Sequence, residues 1–340
     1  MAKSVFQIFG SRAFQRNFNS LARGTIRASA KAMAKALRPT KTTRTKALSA
    51  KPVAAGWTTG LAGALRYRLC KPPSADHTER RPLLVMLHGC AQDAKTLASV
   101  SQMNRVAARE NFLVLYPEQS RAANLQGCWN WFATRSGQAQ READAIAAMI
   151  EQVIRLQPVD PDRVALAGHS AGASMAALLA TRYPQRYRAV AMHSGVAPGA
   201  AQSQASALGA MSGRRRNRAP LCAGIVGAHL PPLLVLHGSA DRIVVPSNAV
   251  DAAQRWASCE GAQALAPRTV QRGARYAVTI TDYVTQRRAV VTHCLINGLD
   301  HAWSGGAARL AYSDPKGPNA SRMIWAFVAR QFAMAQRHPQ

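Results

Sequence analysis

Val164-Ala165-Leu166-Ala167-Gly168-His169-Ser170-Ala171-Gly172-Ala173 is the stretch that decides the fold. Its first four residues form an apolar run too short for a helix and ended by glycine, which reads as a buried strand. An Ala-rich segment with helical spacing follows over 173–183. Between them Gly168, Ser170 and Gly172 make G-x-S-x-G, a nucleophile elbow in the strand–turn–helix setting it requires. The glycines let strand and helix approach, and the helix N-terminus beneath Ser170 favours developing negative charge.

Outward from the elbow, residues 82–87, 112–116, 189–192 and 233–236 are further short apolar runs closed by Gly, His or Pro. Helical spacing recurs over 143–156, and over 320–335 with Met323, Ile324, Phe327, Val328 and Phe332 along one side. Fully apolar strands alternating with helices imply an α/β domain, a mostly parallel sheet covered on both faces.

A serine nucleophile on such a sheet needs an acid and then a base later in the chain. The 233–236 run ends in His237-Gly238-Ser239-Ala240-Asp241, so Asp241 sits just past a strand's C-terminal end, where open α/β sheets place their sites. Asp251, Glu260 and Asp282 follow no apolar strand so directly. Among the histidines after Ser170, His193, His229 and His237 precede Asp241, and His338 is in the tail. His293 begins the apolar run 294–296 and reads as structural. His301, in Gly298-Leu299-Asp300-His301-Ala302-Trp303-Ser304-Gly305-Gly306, takes the base role. Asp300 is no partner for it, because adjacent side chains rarely face each other. Two backbone N–H groups complete the set: that of Ala171, and that of Cys90 or Ala91 in His88-Gly89-Cys90-Ala91-Gln92. Trp129, Trp131 and Trp303 are candidates to line an acyl pocket.

These residues resemble the poly(3-hydroxybutyrate) depolymerase-type esterases, an α/β-hydrolase family that includes feruloyl and acetylxylan esterases. The resemblance spans about residues 65–332. It rests on Leu87 to Gln92, Tyr116-Pro117-Glu118-Gln119, Cys128-Trp129-Asn130-Trp131-Phe132 and Asp160-Pro161-Asp162-Arg163-Val164. The elbow, Asp241, Gly298 to Gly306 and Asp314-Pro315-Lys316-Gly317-Pro318 complete it. It implies Ser170 as nucleophile, Asp241 as acid, His301 as base, and the Cys90 and Ala171 amides as oxyanion donors. It further implies a Cys90–Cys128 disulfide and a carboxylic ester as substrate, a hydroxyalkanoate oligomer or polymer or a related short acyl ester. The Ala at 173, where the family often has glycine, should not impair the chemistry. No polymer-binding segment is read after the last helix, so short or soluble esters are the expected substrates.

Composition supports this and adds one anomaly. Hydrophobic residues are 48% of 340, which excludes a disordered chain. No run of apolar residues is long enough to cross a membrane. The net charge is +28, from 44 Lys+Arg against 16 Asp+Glu. Residues 1–51 hold twelve of those cations, from Lys3 to Lys51, and no acid, leaving +16 for the rest. Phe14, Phe18 and Leu21 fall on one helical face there, a basic amphipathic pattern suited to an anionic, lipid or granule surface. Residues 1–56 therefore read as leader and linker, and 57–340 as the catalytic domain. A second basic cluster, Arg214-Arg215-Arg216-Asn217-Arg218, reads as a surface loop.

The leader lacks the apolar core of a secretory signal, which favours a cytoplasmic or granule-associated protein. The family and a disulfide favour a secreted one. Six cysteines make no disulfide scaffold, and Cys259 with Cys294 is a second candidate pair. No metal-ligand spacing occurs, and neither metal nor cofactor is expected. The competing reading is a basic granule- or nucleic-acid-associated binding protein with an inactive hydrolase domain. The intact Ser, Asp, His order argues against it, and nucleic acid is not the expected partner.

Overall fold

The structure, a computed structural model, describes residues 56–73, 79–214, 221, 229–286 and 288–337. The amphipathic leader segment, Arg215 to Arg218, Cys222 and His338 lie outside the described residues. The chain divides into two compact units, Met1–Pro52 with Arg309–Ala311, and Val53–Ala308 with Tyr312–Gln340. The second unit carries the sheet and residues Ser170, Asp241 and His301.

Its sheet has eleven strands: β1 (Gly56–Ala62), β2 (Leu65–Lys71), β3 (Arg81–Leu87), β4 (Leu113–Glu118), β5 (Val159–His169), β6 (Val190–His193), β7 (Leu233–Gly238), β8 (Gln263–Ala264), β9 (Arg268–Val270), β10 (Val278–Val284) and β11 (Ala289–Ile296). The order is β1-β2-β4-β3-β5-β6-β7-β11-β10-β8, with β9 also on β10. The six central strands from β4 to β11 are parallel. The outer strands pair antiparallel.

Each apolar run read as a strand lies in this parallel centre, because residues buried from both faces leave a continuous apolar signature. The antiparallel strands were not read. β2 (Leu-Arg-Tyr-Arg-Leu-Cys-Lys) and β10 (Val-Thr-Ile-Thr-Asp-Tyr-Val) mix polar residues into the strand, as sheet margins with one wetter face do.

The helices are α1 (Ala94–Ser101), α2 (Met103–Glu110), α3 (Gln138–Leu156), α4 (Ala171–Arg182), α5 (Gln204–Met211), α6 (Ser247–Cys259) and α7 (Ala320–Arg337). α3, α4 and α6 bury Ile146, Met175 and Trp256 against Leu83, Val85 and Leu166 on one face. On the other, α1, α2 and α7 bury Leu97, Met103, Ile324 and Val328 against Leu84, Met86 and Ala167. Alternate residues of β3 thus feed opposite cores, the period-two consequence of the pleat. This arrangement leaves the loops after β3, β4, β5, β6, β7 and β11 clustered at one end of the sheet.

Candidate active site

β5 ends in the elbow. Ser170 adopts φ 54° and ψ −120°, a strained conformation for a residue with a side chain. The turn is possible because its flanks carry no Cβ. A Cβ on Gly168 would lie 2.3 Å from the Gly172 backbone, and one on Gly172 would lie 2.1 Å from the Leu87 carbonyl oxygen.

Asp241 follows β7 and is buried. Its Oδ1 accepts the N–H groups of Ile243 (3.0 Å) and Val244 (2.9 Å). His301 stands in the loop after β11, drawn to the β7 loop by Ser239 N–H to Ile296 O (2.9 Å) and Ala240 N–H to Leu299 O (3.0 Å). Gly238 permits this approach, since a Cβ there would lie 2.1 Å from the Leu299 carbonyl oxygen.

The three side chains form one chain of hydrogen bonds. His301 Nδ1–H donates to Asp241 Oδ2 at 2.7 Å, and Ser170 Oγ–H donates to His301 Nε2 at 3.0 Å. The carboxylate sets this tautomer, because it can only accept. Asp300 accepts the backbone N–H of His301 at 2.8 Å and has no part in the ring's hydrogen bonds. Burial alone would raise the Asp241 carboxyl, but hydrogen bonds from His237 and His301 outweigh it and hold the group well below the ordinary carboxylate range.

The loop after β3 distinguishes Cys90 from Ala91 by the partners of their amides. The Ala91 N–H donates to Gln126 O at 2.8 Å, whereas those of Cys90 and Ala171 meet no acceptor among the described residues. Gln92 braces the loop, its Oε1 accepting the Gly89 N–H at 2.9 Å. Cys90 is bonded to Cys128. His88 is buried and neutral in role: its Nδ1–H donates to Gly89 O and its Nε2 accepts the Gln119 N–H.

Cys128 and the residues after it hang on a group that sequence reasoning missed. Glu142 of α3 is buried and accepts from Gln119 Nε2 (2.8 Å), Asn130 N (2.9 Å), Asn130 Nδ2 (2.6 Å) and Gln138 Nε2 (3.1 Å). A lone Glu on a helix carries no sequence signal for this. Breaking the disulfide by Cys128→Ser is expected to cost about 2–4 kcal/mol by chain entropy for a bridge spanning 38 residues. Ester turnover falls with it, because the Cys90 amide loses an anchor. Guanidinium melts and p-nitrophenyl butyrate assays would show both, and unchanged values would refute the bracing role.

The tryptophans need correction as pocket residues. Trp129 and Trp303 are 0% exposed and Trp131 is 6% exposed, so the first two offer no surface to an acyl chain. Trp129 packs on His88, and Trp303 stacks on His193 at 5.0 Å. The Cys259–Cys294 pairing is also not made. Cys294 is a buried thiol on β11, pushed up to about 12 by burial.

Behind His301 lies a row of buried imidazoles. His169 stacks on His301 at 5.3 Å and meets His193 edge-on at 5.4 Å. Burial holds His193 down to about 3 and His293 down to about 4, and His169 well below its usual value of 6.5. Below pH 6.5 the unfolded chain gains protons that these folded groups refuse, so stability falls as pH falls. Each contributes about 1.4 kcal/mol per pH unit until its own folded value is reached. Thermal melts should therefore drop steeply between about pH 6.5 and 4.5, with a slope of about three protons. A flat Tm across that window would contradict the neutral row. Asp241 acts lower, its contribution being present above the ordinary carboxylate range and lost as pH falls through its depressed value.

Esterase PHB depolymerase is the family whose pattern matches this chain, over residues 65–275. The chain belongs to the PHB depolymerase esterase family. The match takes in the loop after β3, the elbow and Asp241, and it stops before His301. Among curated relatives, poly(3-hydroxyalkanoate) depolymerase C of Paucimonas lemoignei is 31% identical over 53% of this chain. The chain spans 45% of that protein, less than half its length. Probable acetylxylan esterase A of Aspergillus clavatus is 28% identical over 66% of this chain and 79% of its own.

Among solved structures, the acetyl xylan esterase from Aspergillus awamori superposes with a TM-score of 0.62 at 18% identity, covering 81% of this chain and 100% of that one. An S-formylglutathione hydrolase from Agrobacterium tumefaciens gives 0.55 at 17%, covering 82% and 97%. These likenesses place the chain on the fold of those structures, an α/β-hydrolase fold.

Proposed function

We propose that the protein is a serine esterase cleaving carboxylic esters through Ser170, His301 and Asp241. One observation carries the reading: an unbroken path from Ser170 Oγ through both nitrogens of His301 to Asp241 Oδ2, beside two unclaimed amides. His301 Nε2 takes the hydroxyl proton as Oγ attacks the ester carbonyl carbon. The Cys90 and Ala171 N–H groups receive the oxyanion, the imidazolium returns the proton to the leaving alkoxide, and an acyl-enzyme remains. Water, deprotonated by His301, then releases the acid. Asp241 stays ionised throughout, which its hydrogen-bonded surroundings favour.

The substrates we propose are hydroxyalkanoate oligomers and related short acyl esters, with acetyl or feruloyl sugar esters as the alternative. The names of the relatives support both. We further propose that residues 57–340 form the catalytic domain and that 1–56 serve location or attachment to an anionic surface. A panel of p-nitrophenyl esters, 3-hydroxybutyrate oligomers, acetylated xylan and methyl ferulate tests the substrate reading. Turnover of the oligomers above the sugar esters is expected, and no hydrolysis of any member would overturn the esterase assignment.

A further inference from the structure

Asp241 has a second imidazole beside it. His237, in the last turn of β7, is wholly buried, and its Nε2 lies 2.7 Å from Val244 O and 3.3 Å from Asp241 Oδ2. A carbonyl can only accept, so Nε2 carries the proton and points it at both oxygens. The opposite nitrogen, Nδ1, is buried with no hydrogen-bond partner. An orphaned buried polar atom in a strand otherwise made of Leu-Leu-Val-Leu costs stability, and filling space does not explain it. A leucine would fill the same space without that cost.

We infer that His237 is a positioning residue for the Asp241–His301 pair, pinning the Asp241–Val244 turn through the Val244 carbonyl, with the same Nε2 3.3 Å from Asp241 Oδ2. The inference rests on the reading of Ser170, His301 and Asp241 as one acyl-transfer triad. Three donors hold the carboxylate, the Ile243 and Val244 amides on Oδ1 and His301 on Oδ2, and His237 fixes the turn that carries the first two. The carboxylate cannot rotate without breaking several bonds, so the His301 ring is held square to Ser170.

The titratable groups facing His237 are Asp241 on its own loop, His193 of β6, His169 of β5 and His293 of β11. Those facing His301 are Asp241, Ser170, His169 and His193. Burial keeps His169, His193 and His293 neutral, so the charge beside His237 is that of Asp241.

His237→Phe and His237→Gln test this, with p-nitrophenyl butyrate as substrate and Ser170→Ala as control. Phe removes the donor, and Gln keeps an N–H near Nε2. His237→Phe is expected to lower kcat roughly ten- to a hundredfold, the effect of leaving the buried Val244 carbonyl without its donor and the turn unpinned, with KM within about twofold. His237→Gln should recover most of kcat.

Nitrogen-15 NMR of the unmutated protein is the second arm, expected to show the ring proton of His237 on Nε2 and none on Nδ1. An unchanged kcat in a folded His237→Phe, a Gln variant no better than Phe, or an Nδ1–H tautomer would each overturn the inference. Should the variants fail to fold, the tautomer decides it. Hydrolysis surviving in Ser170→Ala would instead sink the triad reading on which this one stands.

Discussion

Ser170→Ala is expected to reduce ester hydrolysis by on the order of 10⁵–10⁶ in kcat while leaving the fold unchanged. Oγ makes one side-chain hydrogen bond, to His301 Nε2, and the residue is half-buried, so its removal opens no core cavity. Alanine carries the same Cβ as serine, and the φ of 54° is equally strained in both. Stability should therefore stay within about 1 kcal/mol of the parent. Residual activity would come from the two amides and from binding, which still act on a water attack. The measurements are initial rates on p-nitrophenyl butyrate and a thermal melt on the same preparation. A kcat within tenfold of the parent at an unchanged Tm would end the assignment of Ser170. Loss of activity together with loss of the melt would show a folding defect and leave the role to be read from covalent labelling by a fluorophosphonate.

Much of this site was legible because its parts sit where local sequence is least ambiguous. An apolar strand running into Gly168-His169-Ser170-Ala171-Gly172 has few readings, and Asp241 directly follows a second such strand. His301 was reachable by order alone, since the other later histidines precede the acid, lie at the start of an apolar run or fall in the tail. What stayed hidden depends on pairs that sequence does not display. Glu142 meets Gln119 and Asn130 only once α3 packs beside the β4 loop. His237 looks like a strand residue until the Asp241–Val244 turn folds back on it. Trp129 and Trp303 were drawn to the pocket by proximity in sequence, but large rings beside a cleft also serve as buried packing. The marginal strands β1, β2 and β8–β10 escaped because their burial alternates or is slight, and exposed strands lack the apolar run that marks the centre.

Gly172→Ala should be among the most damaging single methyl additions in the described residues. The added Cβ would lie 2.1 Å from the Leu87 carbonyl oxygen and 2.5 Å from those of Leu87 C and His88 O. All three are backbone atoms of β3 or its end, so no side chain can swing aside. Either α4 lifts from the sheet or β3 moves, and β3 is held by ladders to β4 and β5 on both sides. Overpacking against flexible side chains costs about 1–3 kcal/mol; against a clamped backbone the cost should be about 3 kcal/mol or more. The displacement also falls on the wrong atoms for catalysis. Leu87 and His88 lead into Gly89 and Cys90, and Gly172 follows Ala171, so the strain separates the two proposed oxyanion donors. Losing one such donor costs roughly 10²–10³ in kcat. Gly261→Ala is the control. Its φ of 63° is left-handed, unlike that of the helical Gly172, but a Cβ there meets nothing within 4 Å, so only local backbone strain of about 1 kcal/mol is expected, with full activity. Chemical denaturation and kcat are measured on both variants. Equal effects would show that the contact with Leu87 does not set the requirement for glycine at the elbow.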